Sequence, residues 1–431
     1  MSCGRISKIV RLNRSTADHR QTPAAFLFYN DGMSFWLNRA PFQNFRSTPE
    51  LPSNTQAVVI GGGITGVSAA YWLRRFGVEV TLIERRGLSG GATGRNGGHI
   101  VSGPTLDFGE AVKRYGPHTA RAIFQYTLDN LAALQTFVIE NQIDCEMALG
   151  GTATLALDPT ELSQLAETAG QLSAHNIPFD WWDAATASAR TGSPDFLGGP
   201  FNPNAGRLWP AKLVFGLAGQ ASRFGANIQT GTEVLNVEPA STHFTVHTTR
   251  GAVHAEVIVY ATNAWARTLI PALEQIIVPV RGQVLVTEPA PPMWGFGFVT
   301  NHGYEYCTQR ADGRIVLGGM RWKSATLEMN IADDSTLHPE VSAGLRGFLP
   351  AHFPALRGIK IQQEWSGIMA FTPDFNPLIG PLPNRPGEYI AAGYSGHGMP
   401  MAFGAGKTAA EMIADRTLEN FVKAFLPDRF F

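Results

Sequence analysis

The chain of 431 residues has room for one large domain or two moderate ones with a substantial core. Its 34 basic residues balance 35 acidic ones, which leaves no electrostatic footprint for nucleic acid or an anionic membrane surface. Cys3, Cys145 and Cys307 are far apart and build neither a disulfide framework nor a zinc site, so a reducing, cytoplasmic setting without a metal centre is expected.

Residues 1–33 read as a leader or disordered segment. Arg5, Lys8, Arg11, Arg14 and Arg20 face only Asp18, and no apolar run is long enough for a secretory signal. A mitochondrial presequence fits this composition. So does an unstructured tail, or a start upstream of a natural Met33. The most apolar window, Ala57–Leu73, has the length of a membrane span, but its glycines divide it into strand, turn and helix, so no span is expected.

Ala57–Ile60 is a short β-branched run with the character of a buried parallel strand. Gly61-Gly62-Gly63-Ile64-Thr65-Gly66 follows and fits G-x-G-x-x-G. Gly61 permits the tight turn, Gly63 lets the backbone approach a pyrophosphate, and Gly66 lets the next helix pack on the sheet. That helix is predicted over Val67–Phe76 with a C-cap at Gly77, and Val78–Ile83 reads as a second buried strand. Glu84 ends it, about 20 residues beyond the glycines, where a dinucleotide fold sets a carboxylate on ribose hydroxyls. This acid disfavours a 2′-phosphate, although Arg85 and Arg86 stand beside it. A second glycine-rich loop, Gly90–His99, comes next. NAD has no use for it there, whereas the longer FAD needs a second close backbone approach.

Residues 105–140 predict helix, with Phe124, Leu128, Leu131, Leu134 and Phe137 as a core stripe. Gly151–Leu157 is strand-like, and Asp158 and Pro159 open a helix as N-cap and first position. The Gly/Pro-rich run Gly192–Pro210 reads as a loop crossing between domains. A second α/β stretch begins at Leu213, with strands at Thr232–Val237, Phe244–Thr249 and Val257–Asn263. Arg281–Val286 opens a β-rich segment, in which Tyr304, Tyr306, Thr308 and Arg310 alternate on one strand face.

GGGITG, IERR and GGATGRNGG, with Trp365–Asp374 (WSGIMAFTPD) and Ala391–Met399 (AAGYSGHGM), resemble the D-amino-acid-oxidase-like flavoproteins, which include glycine and sarcosine oxidases. The RNGG loop with YSGHGM is most similar to the γ-glutamylputrescine oxidase branch, and Met33–Leu37 resembles the usual start of family members. The resemblance implies an α/β fold in which an FAD-binding Rossmann-like domain of glutathione-reductase type (residues 34–104, 206–275 and 360–431) is interleaved with a β-sheet-rich substrate domain (105–205 and 276–359). It implies FAD contacts from Gly61, Gly63, Ile64, Thr65, Gly66, Glu84 and Arg85. The second loop adds Ala92, Thr93, Arg95, Asn96, Gly97 and Gly98. The Val234 backbone lies near the adenine, Ala261 and Thr262 pass beneath the cofactor, and Gly393, Tyr394, Gly396, His397, Gly398 and Met399 complete the set.

The implied chemistry is oxidation of a C–N bond in a small-molecule amine. Hydride passes to flavin N5, water hydrolyses the imine, and O₂ or another acceptor takes the electrons. Gly393–Met399, ahead of a helix over Ala402–Ala414, suits negative charge on the reduced ring. His397 is a donor candidate there, or else satisfies local backbone. Tyr306 is a candidate wall for the amine, with ordinary sheet packing as the alternative. His99 stands where sarcosine-oxidase-like members carry an arginine and is the best single polar candidate. Met399-Pro400-Met401 replaces that group's carboxylate-clamping lysine, and Val316 its oxygen-activating lysine. Gly367 stands near the position of its covalent cysteine, so noncovalent FAD is expected. These departures favour a larger primary or secondary amine over an N-methyl amino acid. Oxidation of an amino acid would need Arg281 or Arg310 as a clamp, and a non-catalytic flavin-binding assembly factor is the third reading.

Overall fold

The computed structural model describes residues 33–38, 45, 47–418 and 421–431, so the expectation for 1–32 lies outside the described residues. The apolar run ending at Ile60 forms the Asn54–Ile60 strand, buried on both faces from Ala57 onward. It pairs in parallel with Val80–Ile83 on one side and Gly251–Tyr260 on the other. Glu388–Ala392 and Leu378–Pro381 extend one edge of this sheet, and Asn227–Gln229 the other. A hairpin of Val234–Pro239 and Phe244–Thr248 is appended to the Gly251–Tyr260 strand.

The crossover helix, Ile64–Arg75, packs against Pro210–Arg223 and against the small-residue helix Ala402–Ile413. Close approach is built into the last pair. A Cβ on Gly406 would strike the Thr65 carbonyl, and Ser68 Oγ donates to the Phe403 carbonyl at 2.7 Å.

A second sheet runs in the order Ile361–Phe371, Val278–Thr287, Ile315–Gly319, Glu305–Gln309, Gly297–Thr300, Thr152–Leu155, Gly198–Asn202, Asp180–Asp183. The division expected at residue 360 does not coincide with the sheets, because Ile361–Phe371 pairs along its length with Val278–Thr287. Its far end meets the other half of the molecule, where Ser395 N donates to the Ala370 carbonyl at 2.7 Å.

Two local expectations change. Gly192–Pro210 is not one loop but contains the Gly198–Asn202 and Ala205–Arg207 strands. Its glycines serve close packing there, since a Cβ on Gly199 would strike the Thr154 carbonyl of the neighbouring strand. The 105–140 helix is two helices, Phe108–Tyr115 and Pro117–Glu140, parted at Gly116 with φ +80°. Asp158 caps Pro159–Ala174 as expected, accepting from Thr160 N at 2.8 Å and Glu161 N at 3.0 Å. Among the described residues no helix is long and apolar enough to cross a membrane.

Gly406→Ala is expected to force the two helices apart and cost about 1–3 kcal/mol as an overpacked core does. Equilibrium denaturation checks this; an unchanged midpoint would show that the crossing has slack.

Candidate functional site

A cavity of about 820 Å³ runs from the Gly61–Gly66 turn to the inner face of the second sheet. At its nucleotide end the glycines act through geometry. Gly61 has φ +113°, and a Cβ on it would press on the Ala261 carbonyl at 2.6 Å; a Cβ on Gly66 would strike the Gly61 carbonyl. Glu84, at the end of the second strand, holds this turn by accepting from Gly62 N and Arg86 N, each at 2.7 Å. Each carboxylate oxygen keeps a further lone pair for a ribose hydroxyl. Arg85 stacks on Trp265 at 4.5 Å and faces Glu233 at 3.9 Å.

The second loop is pinned from behind. Ser34 Oγ donates to the Gly94 carbonyl, Trp365 Nε1 to the Arg95 carbonyl at 2.8 Å, and Trp36 Nε1 to the Asn96 carbonyl at 2.6 Å. Asn96 closes the loop on itself, donating to the Thr93 carbonyl at 2.9 Å and accepting from Gly98 N at 2.7 Å. Arg95 lines the cavity but also braces it, donating to the Gly90 carbonyl at 3.1 Å and the Ser366 carbonyl at 2.9 Å and pairing with Asp334 at 3.3 Å.

Of the residues expected against a cofactor, Gly66, Gly98 and Gly393 do not line the cavity. They shape the backbone behind it. Gly98 (φ +75°) lies against the Leu208 carbonyl, and Gly393 N donates to Asn263 Oδ1 at 3.1 Å. Gly61, Gly63, Ile64, Thr65, Glu84, Arg85, Ala92, Thr93, Asn96 and Gly97 face the cavity, as do Val234, Ala261, Thr262, Tyr394, Gly396, His397, Gly398 and Met399. The Tyr394 hydroxyl is within 2.8 Å of Thr65 Oγ1, which ties the Ser395–Met399 turn to the crossover helix.

His99, Tyr306 and His397 all line the same cavity. The Tyr306 ring is wedged between Gly97 and Gly318, where a Cβ on either would strike it, and meets His99 edge-on at 5.5 Å. His99 Nε2, Ser102 Oγ, Thr105 Oγ1, Thr152 Oγ1 and His397 Nε2 are shielded from solvent and lack hydrogen-bond partners among the described residues. Such a wall is costly unless a bound molecule completes it. Burial, with Arg207 adding a like charge, pulls the His99 imidazole down to about 4 against a hydrogen bond to the Cys307 backbone. Burial also lowers His397 to about 4, opposed by backbone hydrogen bonds at Val101 and Gly103. Tyr306 is pushed well above its ordinary value by burial alone. Both histidines are therefore neutral near pH 7.

Both arginines expected as a clamp point elsewhere. Arg281 is buried against Glu328 at 2.5 Å and Thr336 Oγ1 at 2.7 Å. Arg310 stacks on Trp209 at 4.5 Å and pairs with Glu146 at 2.9 Å. Neither lines the cavity, and of the alternating face only Tyr304 and Tyr306 do. The strand starts at Glu305, so Tyr304 belongs to the turn before it. Val316 is packed in an apolar cluster with Trp36 and Trp365. The sequence reading missed Arg321, Phe371, Trp36 and Trp365 as site residues; Trp365 opens a motif already singled out, and Arg321 follows the close-packed pair Gly318-Gly319.

Trp36→Phe is expected to leave the Asn96 carbonyl without its donor, costing about 1–3 kcal/mol and loosening the loop. Thermal unfolding and the cofactor content of the purified variant measure both. A second expectation concerns acid. The unfolded chain protonates His99 and His397 near 6.5 and the fold only near 4, so the unfolded state binds more protons between these values. Stability should fall as pH drops through that window, and His99→Gln should flatten the slope measured by denaturation at stepped pH.

A family model described as FAD dependent oxidoreductase matches residues 56–412. The chain is 29% identical over 362 residues to the probable oxidoreductase OrdL of Haemophilus influenzae, with 82% of each chain covered. It is 27% identical over 365 residues to the gamma-glutamylputrescine oxidoreductase of Escherichia coli, again covering 82% of both. The L-proline dehydrogenase of P. horikoshii shares its fold at a TM-score of 0.75 and 26% identity, covering 88% of this chain and 98% of that one.

Proposed function

The chain belongs to the FAD dependent oxidoreductase family, and on that premise we propose that it oxidises a primary or secondary amine of the γ-glutamylputrescine type, with His99, Tyr306 and His397 at the reacting end. FAD-dependent oxidation of a C–N bond in an amine or amino-acid substrate is its activity. The finer reading is carried by one observation: a single cavity joins the glycine turn, the pinned second loop and a polar wall whose atoms await partners.

Gly61–Thr65, Glu84 and the Ala92–Gly97 loop fit the cofactor's nucleotide and ring, with Val234, Ala261 and Thr262 on the floor. When bound, FAD supplies the two-electron sink that accepts hydride from the carbon beside nitrogen. The protein's part is to orient and desolvate. His99 is neutral, so its ring accepts from or donates to an amine without adding a charge that would repel a cation at the entrance. Tyr306 gives the amine a flat wall, held in place by the two glycines it is wedged against. Ser395–Met399 precedes the Ala402–Ile413 helix, whose N-terminal end favours negative charge developing nearby.

Placement near the γ-glutamylputrescine oxidase branch is supported by the RNGG and SGHGM motifs and by a cavity with no lysine among its described lining residues. No cysteine is among them either, which supports noncovalent FAD.

Anaerobic mixing of the holoprotein with polyamines, γ-glutamyl amines, N-methyl amino acids and D-amino acids tests the reading. Flavin absorbance should bleach with the first two classes, and His99→Gln should slow bleaching about ten-fold or more while retaining FAD. Bleaching confined to α-amino acids would overturn it.

A further inference from the structure

Four arginines and four carboxylates line the described cavity: Arg85, Arg86, Arg95 and Arg321, with Glu84, Asp107, Glu161 and Glu233. All but one are engaged. Arg86 and Arg95 pair with Asp334 at 2.7 and 3.3 Å, and Arg85 with Glu233. Glu84 holds Gly62 N and Arg86 N, Asp107 accepts from Glu110 N at 2.9 Å and Thr168 Oγ1 at 3.0 Å, and Glu161 accepts from Leu157 N at 2.9 Å and His302 N at 2.5 Å. The Arg321 guanidinium has no ion pair or hydrogen bond among the described residues.

Instead it lies between two aromatic rings, 4.8 Å from the centroid of Tyr304 and 5.4 Å from that of Phe371. The turn that carries it is braced. Met320 adopts φ +57°, and Glu305 Oε1 accepts both Met320 N at 3.0 Å and Trp322 Nε1 at 2.9 Å. Burial lowers the Arg321 pKa, so the cation is held partly out of water without a counter-ion. A guanidinium flanked by flat rings presents its N–H edge, which suits a planar two-oxygen anion. The rings that flank Arg321, Tyr304 and Phe371, are not those that meet around Tyr306, which lies against His99, Gly97 and Gly318. An anion at Arg321 therefore occupies a different part of the cavity from a nitrogen held at His99 and Tyr306.

We infer that Arg321 receives a carboxylate carried by the amine substrate at a position remote from the reacting nitrogen. This rests on the amine-oxidation reading and narrows its substrate class. It also answers the missing lysine clamp: the charge that selects the substrate is moved outward.

The test compares γ-glutamylputrescine and 6-aminohexanoate, each against its carboxamide, by anaerobic flavin bleaching of the holoprotein. The carboxylates should half-saturate at about ten-fold lower concentration or better. Arg321→Gln should abolish that preference at unchanged FAD content, and Arg321→Lys should restore part of it. Arg321→Gln retaining the preference, or wild type showing none, overturns the inference. So does selective bleaching by α-amino acids, which would set the carboxylate beside the nitrogen. Glutarate, which cannot be oxidised, separates this failure from that of the amine reading. Its titration should perturb the flavin spectrum of wild type but not of Arg321→Gln, whether or not any amine bleaches; equal perturbation of both overturns the inference.

Discussion

Three successive carbonyls, at Gly94, Arg95 and Asn96, each take a donor from a side chain distant in sequence. Everything around the cavity depends on that arrangement. A glycine-rich loop has little intrinsic reason to hold one shape, because its residues lose the most freedom on folding. Here its acceptors are satisfied inside the protein, and turning any of them outward would strand a buried indole or hydroxyl. Two of the donors come from the Ser34–Trp36 segment and one from the Ile361–Phe371 strand of the second sheet. The loop is thus one place where the two halves of the molecule are fastened, beside the Ser395–Ala370 junction.

Charge is managed by the same economy. The acids that line the cavity are spent on backbone N–H groups or arginines, and His99 and His397 are kept neutral by burial. What remains toward the interior is a set of uncharged donors and acceptors beside aromatic surface, with one cation at its edge. A neutral amine suits such surroundings better than an ammonium, whose desolvation there would have no acid to offset it. The environment therefore selects a protonation state before any particular contact is made.

The nucleotide half was legible because its signals are local. Strand, glycine turn, helix and terminal acid lie within Ala57–Glu84, and Gly61 makes the tight turn at φ +113° that its position demanded. The arginines show the opposite case. Arg281, Arg310 and Arg321 look alike in sequence; what separates them is Glu328 beside the first, Trp209 and Glu146 beside the second, and no acid paired with the third among the described residues. Those neighbours are brought by tertiary packing and leave no periodic trace. Glycine was ambiguous for a related reason: at Gly198 and Gly199 it serves strands pressed together rather than a turn, and composition cannot distinguish the two.

The packing of Ala402–Ile413 on Ile64–Arg75 also dictates an order of assembly. Glu388–Ala392 covers the outer edge of the Gly251–Tyr260 strand at Ile258–Tyr260, and Ala402–Ile413 joins Pro210–Arg223 as the second helix packed on the crossover helix. Without residues 388–413 part of that sheet edge stays open and one apolar face of the crossover helix stays uncovered. A chain in that state is exposed to misassembly until those residues dock. Residues 388–413 thus act as the closing piece of the fold, and a protein lacking them would be a product prone to aggregation or proteolysis rather than a smaller working enzyme.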